Sequence, residues 1–515
     1  LYNVCVMNKE KQNNTPFFSE MKKYIESDPT CFDVPGHKMG NFDNDLEEYA
    51  GKTLYKLDVN APIGLDNLYH PHGVIKEAED LLADLYNVDE ALFSINGTTG
   101  GIMTMIIGTI DAKEKIILPR NVHKSIINSL ILSGAYPIFV MPDTDPETGI
   151  ANGVKIDNYI KAMDENPDAK AVFVINPTYF GVTSNIKKLA KEAHERNMIV
   201  IADEAHGSHL YFHEDLPLGA MAAGADISSV SLHKTFGSLT QSSAILINKE
   251  RINVSRIKKV YAMLSSTSPN HILLASIDVA RKRMALDGHK LLSNTLDLAR
   301  KTRERINKIR GFHCLDKSYL DGNGRFDIDE TKLVINTSEV GLSGFEIFKL
   351  MREVENVQME LGEISELLAI FTIGTTQKDA DRLVEGLQKI SDKYYDITDI
   401  KTIPHFSYSF PELIVRPREA FHAPSKVISL DDAVGEISAE SIMIYPPGIP
   451  LAIPGEIITQ NAIDLLHFYE KEGGVVLSDS PDGYIKVLDQ DKWYLGSELD
   501  LSLIHISEPT RLGMI

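Results

Sequence analysis

The sequence is poor in cysteine, in basic residues and in long apolar runs, and each shortage excludes a class of protein. Its three cysteines, Cys5, Cys31 and Cys314, have neither metal-ligand spacing nor the density of a disulfide framework, which fits a reducing cytoplasmic setting. Its 52 Lys and Arg against 73 Asp and Glu give a formal charge of −21, whereas nucleic-acid binding requires a basic patch. No apolar stretch approaches the roughly 18 residues of a membrane span. We therefore expect a cytoplasmic protein that binds neither nucleic acid nor membrane.

The rest of the composition is that of a globular protein. Hydrophobic residues make up 43% of the 515 residues and charged residues 24%, which allows a large core. At about 150 residues per domain, the length predicts several domains. The acidic charge is compatible with attraction of a cationic substrate, but solubility explains it equally well.

Short apolar runs alternate with helical stretches through the middle of the chain. Helices such as Lys124–Leu132 and Lys187–Arg196 lie between most of the runs. Strands that are buried on both faces and joined by helices predict an α/β fold, with a mostly parallel sheet and helices on both faces. In such sheets the ligand binds at the carboxyl ends of the strands. The predicted strands are Lys115–Leu118, Pro137–Met141, Ala171–Ile175, Ile199–Ala202, Ile227–Ser231 and Ala244–Ile247.

Composition shifts divide the chain into five segments. We expect an N-terminal arm over residues 1–72 and a large α/β domain over 73–310. A small α+β domain over 311–395 and a C-terminal domain over 396–500 follow. Residues 501–515 have no clear pattern, and we expect them to be a non-native tail.

Lys234 stands just after the predicted strand Ile227–Ser231. A lysine at the end of a buried strand can form an imine with an aldehyde cofactor, and removal from water would lower its pKa and favour that reaction. With 52 Lys and Arg present, a solvated surface lysine is the commoner interpretation of any one of them. The assignment therefore depends on the residues around Lys234.

Asp203 follows another predicted strand, Ile199–Ala202. A buried carboxylate there can keep the ring nitrogen of a cofactor protonated, so that the ring remains an electron sink. It could instead be an acidic cap after a strand. The string Asp203–His206 also resembles a helicase motif, but the chain is acidic and has no GxxxxGK[ST] phosphate loop.

Two further strings complete a cofactor site. Asn96–Gly101 precedes an apolar helix, and its glycines and hydroxyls could offer N–H groups and the positive end of the helix dipole to a phosphate. A routine helix start has the same pattern. His123 follows the strand Lys115–Leu118 and could stack on a cofactor ring, although a lone histidine is more often structural. A lysine, a carboxylate for a ring nitrogen and a phosphate site together predict pyridoxal 5'-phosphate (PLP).

His206, His209 and His213 could instead be interpreted as a metal cluster. Their spacing lacks the acidic general base of an HExxH arrangement. We therefore predict no metal site.

Several strings, in this order, resemble the Orn/Lys/Arg decarboxylase family of PLP fold type I. The resemblance spans nearly the whole chain and is greatest to the shorter biosynthetic arginine decarboxylases of Gram-positive bacteria, which lack the N-terminal wing domain of longer relatives. Long relatives have an indole near the position of His206, so roles taken from them do not transfer to that loop. The strings are Pro35-Gly36-His37-Lys38, Leu65-Asp66-Asn67-Leu68, Asn96–Gly100, Asn176–Gly181, Asp203–Gly207, Ser231–Lys234, Gln241-Ser242-Ser243 and Pro446–Pro450.

The resemblance implies PLP fold type I with smaller α+β C-terminal domains, and it implies roles for particular residues. Lys234 would form the imine, Asp203 would hold the pyridinium, and His123 would stack on the ring. Our own hypothesis for the mechanism adds that Lys234 or His233 returns a proton to the substrate. Ser266 would reach the phosphate from a neighbouring subunit, which implies a homodimer or higher homo-oligomer with active sites at the interface. The remaining implied cofactor contacts are Gly97, Thr98, Thr99, Ala205, His206, Ser231 and His233.

The implied reaction is the decarboxylation of a basic L-amino acid. Arginine, giving agmatine and carbon dioxide for polyamine biosynthesis, is favoured over lysine and ornithine. Each substrate has a distal cation that needs an acidic partner, for which Glu456 and Asp66 are candidates. A PLP aminotransferase or aldolase of the same fold would share Lys234 and Asp203, so this class remains an alternative.

Overall fold

The computed structural model describes residues 9–145, 148–395, 411–445 and 449–493. The tail expected over 501–515, the start of the expected C-terminal domain and part of the proline-rich string near residue 447 lie outside the described residues. Among the helices that are described, none is both long and apolar enough to cross a membrane.

Helices in the first 310 residues follow the apolar patterns of the sequence. In the helix that starts at Val74, Ile75, Ala78 and Leu82 are buried on one face, whereas Glu77 is exposed. The helices are α1 (Lys9–Gln12), α2 (Pro16–Glu26), α3 (Asp45–Ala50), α4 (Lys52–Leu57), α5 (Val74–Tyr86), α6 (Gly97–Thr109), α7 (Lys124–Ser133), α8 (Ile156–Glu165), α9 (Ile186–Glu195), α10 (Leu232–Thr235), α11 (Val254–Met263) and α12 (His271–Ile306).

The strands of the same region build the central sheet. They are β1 (Glu90–Ser94), β2 (Lys115–Pro119), β3 (Tyr136–Val140), β4 (Ala171–Ile175), β5 (Val182–Thr183), β6 (Ile199–Glu204), β7 (Ile227–Ser231) and β8 (Ser243–Ile247). All but β5 form one seven-stranded sheet in the order β1-β8-β7-β6-β4-β2-β3. Strands β2, β3, β4, β6 and β7 are parallel, whereas β8 is antiparallel to both β7 and β1.

This sheet confirms the predicted α/β class. The six predicted strands are present, with ends that differ by at most two residues. They were recognisable because strands of a covered parallel sheet, such as the fully buried β6, are apolar on both faces. Strand β1 was not predicted, because its apolar core of three residues lies between the polar Glu90 and Ser94.

The described part of the N-terminal segment packs against α12. Phe17 is fully buried in the main hydrophobic core. The Oδ2 atom of Asp278 accepts the backbone N–H groups of Phe17 and Phe18 at 3.1 and 3.2 Å. Arg281 donates to the carbonyl oxygen of Gln12 at 2.9 Å. These bonds fix residues 12–18 to α12, the longest helix of the described structure.

The remainder of the chain forms smaller antiparallel sheets. Strands β9 (His313–Cys314), β10 (Asp327–Ile328), β11 (Lys332–Asn336), β12 (Leu361–Gly362) and β13 (Glu366–Ile370) occur with helices α13 (Gly344–Glu353) and α14 (Gln377–Tyr394). Further on are α15 (Pro417–His422), β14 (Ser425–Ser429), β15 (Ile442–Tyr445), β16 (Ile449–Ala452), α16 (Gln460–Glu472), β17 (Val475–Leu477) and β18 (Tyr484–Leu488). The sheet orders are β12-β13-β11-β9, β16-β15-β17, β14-β18 and β10-β5.

Candidate active site

A cavity of about 470 Å³ is lined by residues that follow β2, β4, β6 and β7. Ligands of open α/β sheets bind at this carboxyl edge. All but one of the residues that the sequence assigns to the cofactor site line this cavity. They are Gly97, Thr98, Thr99, His123, Asp203, Ala205, His206, Ser231, His233 and Lys234.

The N-terminus of α6 provides an anion site at one end of the cavity. The side chain of Asn96 caps none of the N–H groups of the first turn, so the positive end of the helix dipole is open to a ligand. The hydroxyl of Thr98 hydrogen-bonds that of Ser231, which ends β7. Gly101 packs so closely on β7 that a Cβ there would lie 2.0 Å from Oγ of Ser229. This close packing brings the helix start to the strand end, and a phosphate fits the resulting donor set.

Lys234 lies on the short helix α10, directly after β7. Burial lowers its pKa, although the charges of Asp203 and Glu360 oppose that shift. Its Nζ is 3.0 Å from Nε2 of His206 and 5.9 Å from the centre of the Tyr179 ring. A lysine with a lowered pKa has more of the neutral amine that attacks an aldehyde.

Asp203 and His123 both line the cavity, and their charges interact. Burial raises the pKa of Asp203, and the N–H of Ala205, together with the charges of His123 and Lys234, opposes that rise. Burial lowers the pKa of His123, whose Nδ1 accepts the N–H of Ser125 at 3.1 Å. A buried carboxylate beside a neutral imidazole is suited to a cationic ring nitrogen, because that cation compensates the cost of burying the charge.

One ring nitrogen of His233 is bound to the backbone. Its Nδ1 donates to the carbonyl oxygen of Ser242 at 2.9 Å. Burial lowers the pKa of His233, so the ring is neutral and its Nε2 is an acceptor. Of the two residues predicted to return a proton, Lys234 is therefore the better donor near neutral pH.

The remaining sequence candidates lie away from the cavity of this chain. Ser266 is exposed, and its Oγ accepts the N–H of Ser268 at 3.2 Å, so its role toward a neighbouring subunit stays a prediction. Asp66 accepts the N–H groups of the first turn of α5, including that of Gly73 at 2.8 Å. Glu456 forms a buried bidentate pair with Arg120 at 2.6 and 2.8 Å. Neither acid is among the residues that line the cavity.

The sequence analysis assigned no role to Tyr179, which lines the cavity, or to two residues that contact the cavity lining, Glu360 and Lys332. Tyr179 lines the cavity, and its ring lies 4.5 Å from that of His206. Its hydroxyl donates to Glu360. Lys332 is buried beside His206, with its Nζ 2.9 Å from Nδ1. Tyr179 lies in a string that marks the family resemblance, but the sequence carries no local signal for Glu360 or Lys332.

The three histidines that could have formed a metal cluster have separate partners. His206 contacts lysines, and Nε2 of His209 lies 3.0 Å from Asp329. The ring of His213 stacks at 4.6 Å on that of His289. His213, Glu214 and His289 form a group with metal-ligand distances, but Nε2 of His289 is already 2.8 Å from Glu214.

Comparison with known proteins identifies a family of decarboxylases. The family model for the major domain of Orn/Lys/Arg decarboxylases matches residues 15–379, and that for their C-terminal domain matches residues 401–474. An arginine decarboxylase of Bacillus subtilis is 42% identical over 490 residues, which cover 93% of this chain and 99% of the relative. An arginine decarboxylase of Halalkalibacterium halodurans is 40% identical over 476 residues, covering 92% and 97%.

The solved structure of the constitutive lysine decarboxylase of Escherichia coli superimposes with a TM-score of 0.79 at 20% identity, covering 93% of this chain and 82% of that one. This likeness shows the fold, which is PLP fold type I. Enzymes of the matched family use PLP, and the cavity is lined by a lysine, a carboxylate and a helix N-terminus that suit the aldehyde, the ring nitrogen and the phosphate of that cofactor. The chain belongs to the Orn/Lys/Arg decarboxylase family.

Proposed function

We propose that this chain binds PLP at Lys234 and decarboxylates L-arginine to agmatine and carbon dioxide. The observation that carries the proposal is the meeting of Lys234, Asp203 and the N-terminus of α6 in one cavity. Arginine is favoured because the relatives that cover most of the chain at about 40% identity are named arginine decarboxylases. The lysine decarboxylase structure is half as similar in sequence.

Bound PLP supplies an electron sink for the electron pair of the breaking bond between Cα and the carboxylate. Lys234 would hold the cofactor and give way to the substrate amine. Asp203 would accept a hydrogen bond from the ring nitrogen and keep it charged, while the N-terminus of α6 and Ser231, whose hydroxyl contacts that of Thr98, would hold the phosphate. His123 would lie against the ring. The ammonium of Lys234 would return a proton to Cα of the substrate.

Glu360 is our candidate for the acidic partner of the distal guanidinium. Asp203 is the acid that lines the cavity in the described chain, and the ring nitrogen already requires it. Glu360 is exposed, accepts a hydrogen bond from the cavity residue Tyr179, and lies close enough to raise the pKa of Lys234. A carboxylate beside the cavity residue Tyr179 could bind the far end of a substrate whose α-amine is near Lys234.

We also propose a setting for the enzyme. The few cysteines support a cytoplasmic enzyme, and the product agmatine supports a role in polyamine biosynthesis. The exposure of Ser266 supports a homodimer in which this residue completes the neighbouring site. Separate hydrophobic clusters, one spanning Ala299 to Ile390 and another spanning Leu430 to Val487, support the division into a large, a small and a C-terminal domain.

The test incubates the purified protein and PLP with arginine, lysine and ornithine separately and measures carbon dioxide and amine. We expect agmatine from arginine at the highest kcat/KM, and no product from a Lys234→Ala variant. Faster release of cadaverine or putrescine would contradict the choice of arginine. Accumulation of pyridoxamine phosphate or of aldehydes without carbon dioxide would favour an aminotransferase or aldolase.

A further inference from the structure

Lys332 is a buried lysine to which the steps above give no role. It begins β11, and only 1% of its surface is exposed. Its Nζ lies 2.9 Å from Nδ1 of His206, across 126 residues of sequence. Burying an ammonium group is costly unless nearby groups compensate for the lost hydration. The neighbours of Lys332 therefore decide what this residue can do.

His206 connects this lysine to the one that holds the cofactor. Its other ring nitrogen, Nε2, lies 3.0 Å from Nζ of Lys234. Burial and the two neighbouring lysines hold the pKa of His206 well below its ordinary value, so the ring is neutral. A neutral imidazole has one N–H donor and one acceptor nitrogen. When both bonds form, one lysine donates to the ring and the other accepts from it, so the accepting lysine is a neutral amine.

Asp329 favours Lys332 as the charged partner. It lies in the turn that precedes β11, and its charge raises the pKa of Lys332. Asp329 is itself held by His209 at 3.0 Å. Burial of Lys332 outweighs the charge of Asp329 and brings the pKa of Lys332 down to about 8. Lys332 therefore holds an extra proton at neutral pH but releases it readily, and Lys234 accepts the N–H of His206 as a neutral amine.

We propose that Lys332, His206 and Lys234 form a proton relay that sets the protonation of Lys234 whenever its bond to the cofactor forms or breaks. A proton moves from Nζ of Lys332 to Nδ1 of His206, while the proton on Nε2 moves to Nζ of Lys234. The reverse step restores the neutral amine of Lys234. His206 changes tautomer and stays neutral, and the three residues together neither gain nor lose a proton. Lys332 is thus a positioning residue that acts through His206.

The relay rests on the proposed function, because it assumes PLP at Lys234. Removing the charge of Lys332 removes a repulsion, so the pKa of Lys234 should rise and less neutral amine should be present at a given pH. The other groups that face the two lysines come from several elements and stay in place. They are Asp329 and Glu360 near Lys332, and Asp203, His123, His233 and Glu360 near Lys234.

The test mixes apoprotein with PLP and follows the visible absorbance of the bound cofactor across a pH series centred on pH 8. Lys332→Gln keeps an N–H donor for His206 but cannot exchange a proton. Lys317→Gln is the matched control, because Lys317 is an exposed lysine of the same small domain. We expect wild-type and control rates to titrate near pH 8. Lys332→Gln should lose this titration and bind PLP about 10²-fold more slowly.

Unchanged rates and an unchanged pH profile in a folded Lys332→Gln protein would overturn the relay. If that variant does not fold, Lys332→Arg keeps the charge and the donor but holds its proton throughout the series, and the same loss of titration is expected. An unaltered profile in Lys332→Arg would likewise overturn it. A wild-type protein that develops no Lys234-dependent absorbance would instead refute the proposed function, which distinguishes the two failures.

Discussion

Asp203 and Lys234 are both pushed toward their neutral forms by burial. The pKa of the acid is raised and that of the lysine is lowered, because burial outweighs the opposite charges near each side chain. A cofactor with a cationic ring nitrogen and an aldehyde relieves both. The pyridinium compensates Asp203, and the lysine reacts in the neutral form that burial favours.

Glu360 offers a prediction at the residue scale. We expect Glu360→Gln to raise the KM for arginine about tenfold, or about 1.4 kcal/mol, with a smaller change in kcat, because the carboxylate would contact the part of the substrate that does not react. Steady-state kinetics with arginine check this. Glu355→Gln is the control, since Glu355 lies in the same segment but pairs with Lys389. An equal KM for wild type and Glu360→Gln would assign the guanidinium to another acid.

The residues that follow the strands of the sheet could be predicted from the sequence, and their neighbours from later segments could not. Lys234, Asp203 and His123 each come directly after an apolar run, and parallel strands bring their ends to one edge. Lys332 begins β11 and Glu360 directly precedes β12, and only tertiary packing brings them close to residues of the cavity. Ordinary alternation of apolar and polar residues contains no information about such contacts.

At the scale of elements, the site depends on how closely α6 packs against β7. The helix must approach the strand so that its N-terminus and Ser231 act on one phosphate. Gly101 permits this approach, since any side chain would meet Ser229. The string Asn96–Gly101 thus starts the helix at the phosphate site and also allows α6 to pack closely on β7. Only the helix start was apparent from the sequence.

We therefore expect Gly101→Ala to weaken PLP binding and to destabilise the fold by about 1–3 kcal/mol. The added Cβ would lie 2.0 Å from Oγ of Ser229 and would push α6 away from β7. Urea unfolding and fluorescence titration with PLP measure the two effects. Gly36→Ala is the control, because no atom lies within 4 Å of a Cβ at that position. Wild-type affinity in Gly101→Ala would show that the close approach is not needed.

Strand β13 carries a pH-dependent contribution to stability. Burial raises the pKa of Glu366 to about 8. A folded-state pKa above the unfolded value, about 4.3, stabilises the fold fully below pH 4.3 and loses that contribution as the pH rises toward 8. We expect Glu366→Gln to be more stable than wild type by about 4–5 kcal/mol at pH 8, with little difference at pH 4.

Urea unfolding at both pH values tests this prediction. The exposed Glu385 on α14 supplies the matched control, Glu385→Gln, which should show no such pH dependence. A stability difference for Glu366→Gln that is the same at both pH values would show that the carboxyl is not responsible.

At the scale of the whole molecule, the described chain brings most of the predicted cofactor residues to one cavity, and the resemblance predicts a further contribution from Ser266 of a neighbouring subunit. The serine is exposed near the start of α12. Nothing in the spacing of the sequence could indicate which residues cross between subunits, because that depends on an interface that one chain does not encode locally.

Mixed dimers test the shared site. Lys234→Ala leaves a chain without the reactive lysine, and Ser266→Asp places a negative charge where the phosphate of the neighbour would lie. We expect each variant alone to be nearly inactive. Their mixture should regain about a quarter of wild-type activity if subunits exchange freely, because half of the dimers are hybrids with one intact site. No recovery in hybrids isolated by two affinity tags would contradict a shared site.

The central claim is that Lys234 carries the cofactor, and one measurement tests it most directly. The protein is loaded with PLP, the bond is reduced with borohydride, and the labelled peptide is identified by mass spectrometry. We predict a phosphopyridoxyl group on Lys234 at near-stoichiometric yield, prevented by Lys234→Ala. A label on Lys332 or on any other lysine, or no label at all, would contradict the account.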